Sequence, residues 1–248
     1  MTVCRSVRGI MAALLAVGST NALAAEGACP AFLESARSLV VVTARSVNAT
    51  RALLRLFQRN GPSDAWRPIG ASESAVLGAT GLAWGHPFRG MARAGEPVKA
   101  EGDRRTPIGI YRFGRSFGFH ASGLSGQLVL RPGESICVDD PASAAYNTIV
   151  TSRSGTRPRG EDMGAQPLYR RGLVIDYPSD AGRRAGSCIF LHVWRGPGHG
   201  TAGCVALPET RVAALQAIAG RGETAIAILP EGALDRFSGC LPGVGAGR

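Results

Sequence analysis

S-C-I-F-L-H-V-W-R-G-P-G-H-G-T-A-G-C-V-A-L-P-E, residues Ser187 to Glu209, is the stretch on which the reading of this chain turns. Its first part, Ser187 to Trp194, predicts a strand, because it is short, apolar and bounded by glycine. Side chains on a strand alternate, so Cys188, Phe190, His192 and Trp194 share one face. Ile189, Leu191 and Val193 form the other, an aliphatic face suited to a core. The second part is rich in glycine, which lets a loop bend sharply and bring backbone close to a ligand. That loop returns to Cys204, between Gly203 and the expected start of a helix. An imidazole brought beside a thiol is a nucleophile with its own base.

Two other readings compete on spacing alone. Cys204 and His192 also fit a buried thiol and a satisfied polar residue. Cys188, His192, His199 and Cys204 superficially resemble four zinc ligands. On a strand, however, Cys188 and His192 are four steps of roughly 3.3 Å apart, or ~13 Å. Ligands on one tetrahedral zinc lie about 2.0–2.3 Å from the metal and cannot span that distance. No metal is therefore expected. The backbone N–H groups at Gly203 and Cys204 are natural oxyanion donors. Arg195 is placed to hold a substrate carboxylate, although a solvated loop charge fits it equally.

Outward from this stretch, the chain reads as short strands broken by Gly, Pro and Asp. Candidates are Leu39 to Thr43, Thr50 to Phe57 (where a short helix also fits), Ile108 to Phe113, Gln127 to Arg131, Ser135 to Val138, Leu173 to Tyr177 and Thr224 to Leu229. One helix is expected to begin at Pro208 as its first residue, with Glu209 at its positive end, Gly220 as its stop, and Val212, Leu215 and Ile218 as its apolar stripe. Arg153 to Gly164 is polar and reads as a surface loop, either a plain connection or a lid. The fold class expected is mainly β, a domain of packed mixed sheets with a few short helices. It covers residues 38–230, followed by a C-terminal tail at 231–248.

Residues 1–24 read as a signal peptide. Arg5 and Arg8 precede a short apolar core, Ile10 to Val17, and Ala22-Leu23-Ala24 resembles a cleavage site. The apolar run is too short to span a bilayer. Lipoprotein processing at Cys29 is the alternative, disfavoured by Glu26. A periplasmic or extracellular location follows. The 248-residue chain carries a formal net charge of +10; without Arg5 and Arg8, 26 basic residues stand against 18 acidic ones, leaving +8. Lys99 is the only lysine, a bias that base composition explains. A positive surface suits envelope polymers rather than nucleic acid, since basic and aromatic residues are not interleaved.

Five cysteines remain beyond the leader: Cys29, Cys137, Cys188, Cys204 and Cys240. An odd count in an exported chain suggests disulfides and one free thiol. Cys29 and Cys240 lie near the ends, where a bridge would pin both termini. Cys137 and Cys188 sit in strand-like runs that pair across a sheet in this reading. Cys204 is then left free. The connectivity is a hypothesis at this level.

T-A-G-C-V-A-L with its upstream histidine resembles the L,D-transpeptidase (YkuD-type) family of bacterial peptidoglycan enzymes. K-A-E-G-D-R-R-T-P-I-G-I-Y, Lys99 to Tyr111, is similar to the segment preceding that family's catalytic half. C-V-D-D-P, Cys137 to Pro141, followed by Tyr146-Asn147, points the same way. The resemblance implies Cys204 as nucleophile and His192 as its base, with a backbone carbonyl, taken here as that of Val193, orienting the imidazole. Gly203 would serve the oxyanion, and Trp194, Arg195 and His199 would contact substrate. It implies no cofactor and peptidoglycan stem peptides as partners; a monomer is expected. Typical members attack the bond between the L-centre of diaminopimelate and a terminal D-alanine, then pass the acyl group to a second stem as a 3-3 cross-link. Here Ala202 stands where many members carry histidine, and Val205-Ala206 where Asn or Arg follows the cysteine. The donor stem position and the acyl acceptor are thus left open: water as acceptor would make the enzyme an L,D-carboxypeptidase, and cleavage of existing links an endopeptidase, with the same Cys-His pair. A non-catalytic peptidoglycan-binding protein is the reading from another class.

Overall fold

A computed structural model describes Met1, residues 29–152 and residues 157–243. Apart from Met1, the expected signal peptide at residues 1–24 lies outside the described residues. Among the described residues, no helix is long and apolar enough to cross a membrane.

The chain is mainly β. Its strands are β1 (Ser38–Ala44), β2 (Arg51–Gln58), β3 (Arg67–Val76), β4 (Leu82–Trp84), β5 (Thr106–Gly118), β6 (Leu128–Val129) and β7 (Ser135–Cys137). They continue with β8 (Ile149–Thr151), β9 (Glu161–Asp162), β10 (Arg171–Asp176), β11 (Phe190–Val193), β12 (Val205–Leu207) and β13 (Thr224–Pro230). Among the described residues two α-helices accompany them, α1 (Phe32–Ser35) and α2 (Glu209–Ala219).

β1 is apolar throughout because both of its faces are covered: Leu39, Val40, Val41 and Val42 are all buried. It pairs parallel with β13 and antiparallel with β2. In β2, exposed Arg51 and Leu53 alternate with buried Ala52, Leu54 and Leu56, which is strand and not helical periodicity. The main sheet runs β10-β11-β12-β3-β2-β1-β13-β5, and β5 pairs again with β10, so the path closes on itself. β5 makes the closure possible through its length. Its early residues pair with β13 and its late ones with β10. A separate three-stranded sheet, β8-β7-β9, lies outside this ring.

α2 buries Val212 and Leu215 as the stripe requires. It also buries Gln216, whose Nε2 donates to the carbonyls of Phe117 and Gly172 at 2.9 Å each. One amide thus ties the helix to both strands at the seam where the ring closes. The helix starts one residue later than expected, with Pro208 as its cap. The larger difference is β12, a strand that separates Cys204 from the helix. Three residues are too few for a visible period, so the sequence reading ran Cys204 directly into α2.

The segment set apart as a tail packs on the same core. Phe237 stacks on Trp84 at 6.2 Å and meets Phe88 edge-on at 5.5 Å. Arg236 lies over the Trp84 ring and pairs with Glu96 through both of its terminal nitrogens, at 2.6 and 2.7 Å. Those bonds hold the Glu96 carboxyl down at about 2. The Cys29–Cys240 disulfide closes this end of the molecule.

Candidate active site

β11 is shorter than the expected Ser187–Trp194. Cys188 has φ +57°, a left-handed conformation that breaks the alternation before Phe190. From Phe190 onward the two faces separate as expected. β11 and β12 are parallel, with Leu191 opposite Val205, His192 opposite Ala206 and Val193 opposite Leu207. Leu191, Val193, Val205 and Leu207 enter the main core. His192, Ala206 and Cys204, two residues before Ala206, all line a cavity of about 190 Å3 on the other face. Parallel strands need a long connection, and the eleven-residue glycine-rich loop from Trp194 to Cys204 supplies it.

That loop is stitched down rather than loose. Thr201 N–H donates to Leu77 O at 2.9 Å, and Ala79 N–H donates to Thr201 O at 2.8 Å. A Cβ at Gly200 would stand 2.5 Å from the Ala79 Cα, so only glycine permits this approach. Gly203 has φ +144°, which turns the chain into β12. The Cys204 carbonyl accepts from the hydroxyls of Thr201, at 2.7 Å, and Thr106, at 3.2 Å.

His192 is buried, and its Nδ1 lies 2.8 Å from the Val193 carbonyl. A carbonyl only accepts, so Nδ1 carries the proton and Nε2 is left with its lone pair free to act as base. Burial lowers the imidazole to about 4, against which the Val193 bond works only in part. The Cys204 thiol is buried too and is pushed up to about 12, by desolvation first and the Glu161 charge second. The Phe190 N–H, 3.3 Å from Sγ, the Lys99 ammonium and the Tyr169 hydroxyl pull the other way. The resting pair is therefore a neutral thiol and a neutral imidazole, with the Cys204 thiol 3.6 Å from the Cys188 carbonyl oxygen. A low dielectric around both groups disfavours the thiolate and the imidazolium alike.

This state has a measurable consequence. Iodoacetamide attacks the thiolate, so with a thiol at about 12 alkylation of native Cys204 should be slow near neutral pH. The rate should rise about tenfold per pH unit towards that value. A rate already level from mildly acidic pH upward would mean a resting thiolate–imidazolium pair instead.

The other expected site residues divide. Arg195 and His199 line the cavity, while Trp194 does not. Trp194 instead donates its N–H to Leu207 O, continuing the strand pairing. The Gly203 N–H, expected as an oxyanion donor, donates to Thr201 Oγ1 at 3.1 Å and is already engaged. The Cys204 N–H donates to no described group and is the remaining candidate. Among the described residues Cys204 is the free cysteine, and Cys137–Cys188 is the second disulfide.

Tyr169 and Glu161 carried no signal of their own in sequence, and Lys99 only the one it shares with the Lys99–Tyr111 segment. Lys99 is buried, with Nζ 2.5 Å from Asp103 Oδ1 and 2.9 Å from Ala100 O, and its charge favours the Cys204 thiolate. Its methylenes fill the space a Cβ at Gly186 would need. Tyr169 packs edge-on against His192, centroids 5.1 Å apart, and its hydroxyl donates to Glu161 Oε2 at 2.9 Å. Glu161 lies in β9, inside the stretch read as a surface loop. Residues 153–156 of that stretch are outside the described residues, but Glu161 and Asp162 pair with β7. That pairing delivers Glu161 to the cavity wall.

The two upstream motifs hold this arrangement together. In K-A-E-G-D-R-R-T-P, Glu101 accepts from Tyr146 and Ser187 hydroxyls at 2.5 and 2.8 Å, and Thr106 reaches Cys204. Asn147 Oδ1 accepts from Cys188 N–H at 2.9 Å, while its Nδ2 donates to Tyr177 O at 2.8 Å. The left-handed turn at Cys188 is thereby supported from both sides.

Comparison with known proteins adds family information. The L,D-transpeptidase catalytic domain (YkuD) matches residues 46–228. No curated protein sequence matches the chain. Among solved structures, similarity is found to the helical cell shape determining protein Pgp2 from Campylobacter jejuni, at 15% identity and a TM-score of 0.40. That match covers 77% of this chain and 47% of the Pgp2 chain. A point mutant of the same protein matches at the same identity and TM-score over 78% of this chain. The chain thus spans about half the length of those structures.

Proposed function

This chain belongs to the L,D-transpeptidase catalytic domain (YkuD) family, and from that premise we propose that it is an exported cysteine enzyme that forms 3-3 cross-links between peptidoglycan stem peptides. The observation that carries the reading is a free Cys204 in one cavity with His192, whose Nδ1 is held by the Val193 carbonyl. That geometry leaves Nε2 available as a base, which a merely structural histidine does not require.

In the proposed reaction Cys204 Sγ attacks the carbonyl carbon of the L-centre of diaminopimelate as its proton passes to His192 Nε2. Coupling the two events matters, because the free thiol at about 12 supplies almost no thiolate beforehand. The developing oxyanion meets the Cys204 N–H. The C–N bond then breaks, D-alanine leaves with the proton from His192, and a thioester remains. An amine of a second stem forms the new amide and returns the thiol.

Incubation with tetrapeptide muropeptides, read by mass spectrometry, tests this. Cross-linked dimers and released D-alanine are expected. Free tripeptide without dimers would replace the transpeptidase with a carboxypeptidase using the same thiol. Unchanged substrate would leave a peptidoglycan-binding protein without catalysis.

A further inference from the structure

We propose that Glu161 is the recognition site for the ammonium group of the acyl acceptor, held ready beside the thioester. The inference rests on the transpeptidase reading and adds to it the residue that distinguishes an amine from water.

Glu161 is the one carboxylate among the described residues lining the Cys204 cavity. It is not there for pairing with a protein cation: among the described residues no Arg, Lys or His forms an ion pair with it. Its Oε2 accepts the Tyr169 hydroxyl, and no described donor meets its Oε1. A part-buried carboxylate without a countercharge costs stability unless a ligand supplies one. Burial raises its pKa, and the nearby Asp139 charge adds to that. Its charge also disfavours ionisation of the catalytic thiol. A negative charge that hinders the nucleophile is explained if it serves the second half-reaction, where the nucleophile is an amine.

Its placement is built rather than incidental. Gly160 brings β9 against β7 so closely that a Cβ would stand 2.2 Å from the Cys137 carbonyl oxygen. Cys137 is bonded to Cys188, whose carbonyl oxygen lies 3.6 Å from the Cys204 sulfur. Glu161 and the thiol are therefore fixed to one another through a disulfide.

In the aminolysis step the acceptor ammonium gives one proton to the Glu161 carboxylate. The freed lone pair forms the C–N bond to the thioester carbonyl, and the C–S bond breaks with its electron pair going to Cys204. The second amine proton goes to that sulfur by way of His192, and Glu161 returns its proton to solvent. The raised pKa of the carboxyl favours this transfer.

The test compares acceptors on the acyl-enzyme formed from a tetrapeptide donor. Propylamine is cationic at neutral pH and methoxyamine is neutral. Glu161→Gln keeps an oxygen for the Tyr169 hydroxyl but removes the charge. On the preformed acyl-enzyme, aminolysis by propylamine should fall about 10- to 100-fold in kcat/KM relative to aminolysis by methoxyamine, a ratio from which any change in thioester formation drops out. On the unmodified protein, choline should compete with propylamine, and its uncharged carbon isostere should not. Equal effects on both amines, or no selectivity between choline and the isostere, would overturn the ammonium site while leaving the transpeptidase intact. Failure of the unmodified protein to form a thioester would overturn the transpeptidase reading and this inference together.

Discussion

Cys204→Ala should abolish D-alanine release and thioester formation, lowering turnover by about 10⁴-fold or more. The thiol is 5% exposed, and its neighbours Phe190, Tyr169, Leu130 and Met163 belong to the same small core cluster. Alanine removes one sulfur atom from that cluster and leaves the carbonyl, held by Thr106 and Thr201, in place. The fold should therefore survive with a loss of about 1 kcal/mol, visible as a modest shift in thermal midpoint. Intact-mass spectra after incubation with tetrapeptide should show an acyl adduct on the unmodified protein and none on the variant. An adduct on Cys204→Ala would remove the nucleophile assignment. His192→Ala provides a comparison in which the thiol remains but its proton acceptor does not.

Removing the Cys137–Cys188 bridge, as the double Ser variant, should cost about 2–4 kcal/mol of stability. The two cysteines are 51 residues apart, and freeing that loop raises the entropy of the unfolded chain. For a domain of this size the thermal midpoint should fall by about 6–12 °C. The second consequence is functional. The bridge holds the left-handed Cys188 turn, whose carbonyl faces the Cys204 sulfur, and it anchors the sheet that carries Glu161. Donor turnover should fall as well, by more than the loss of folded protein accounts for. Cys29–Cys240 is the control: it spans 211 residues but joins the termini away from the cavity. Its loss should lower stability by at least as much while leaving turnover per folded molecule unchanged. A Cys137–Cys188 variant with full stability and turnover would sink both parts of the argument.

Much of the fold is readable from short-range pattern. The all-apolar β1 and the alternating β2 follow from how many faces each strand buries. The expected pairings of Cys29 with Cys240 and Cys137 with Cys188 agree with the structure, as does the free Cys204. Strands of two or three residues, such as β9 and β12, escaped because no period develops over so few positions. β3 escaped for another reason: most of its side chains are exposed, so it has no apolar pattern over much of its length. In sequence Trp194 continues the alternation past Val193, but the chain leaves the strand there.

Local pattern specifies the nucleophile–base candidate pair, the glycine loop between them, and the strand alternation that puts His192 opposite the core face. These are local properties, set by neighbours within a few residues. Tertiary structure alone decided that Cys204 rests as a neutral thiol, that Gly203 N–H is occupied by Thr201, and that Glu161 and Tyr169 stand in the cavity wall. Burial and electrostatic field sum over atoms that the ring of strands and the Cys137–Cys188 bridge bring together from distant parts of the chain, and no local spacing encodes that sum.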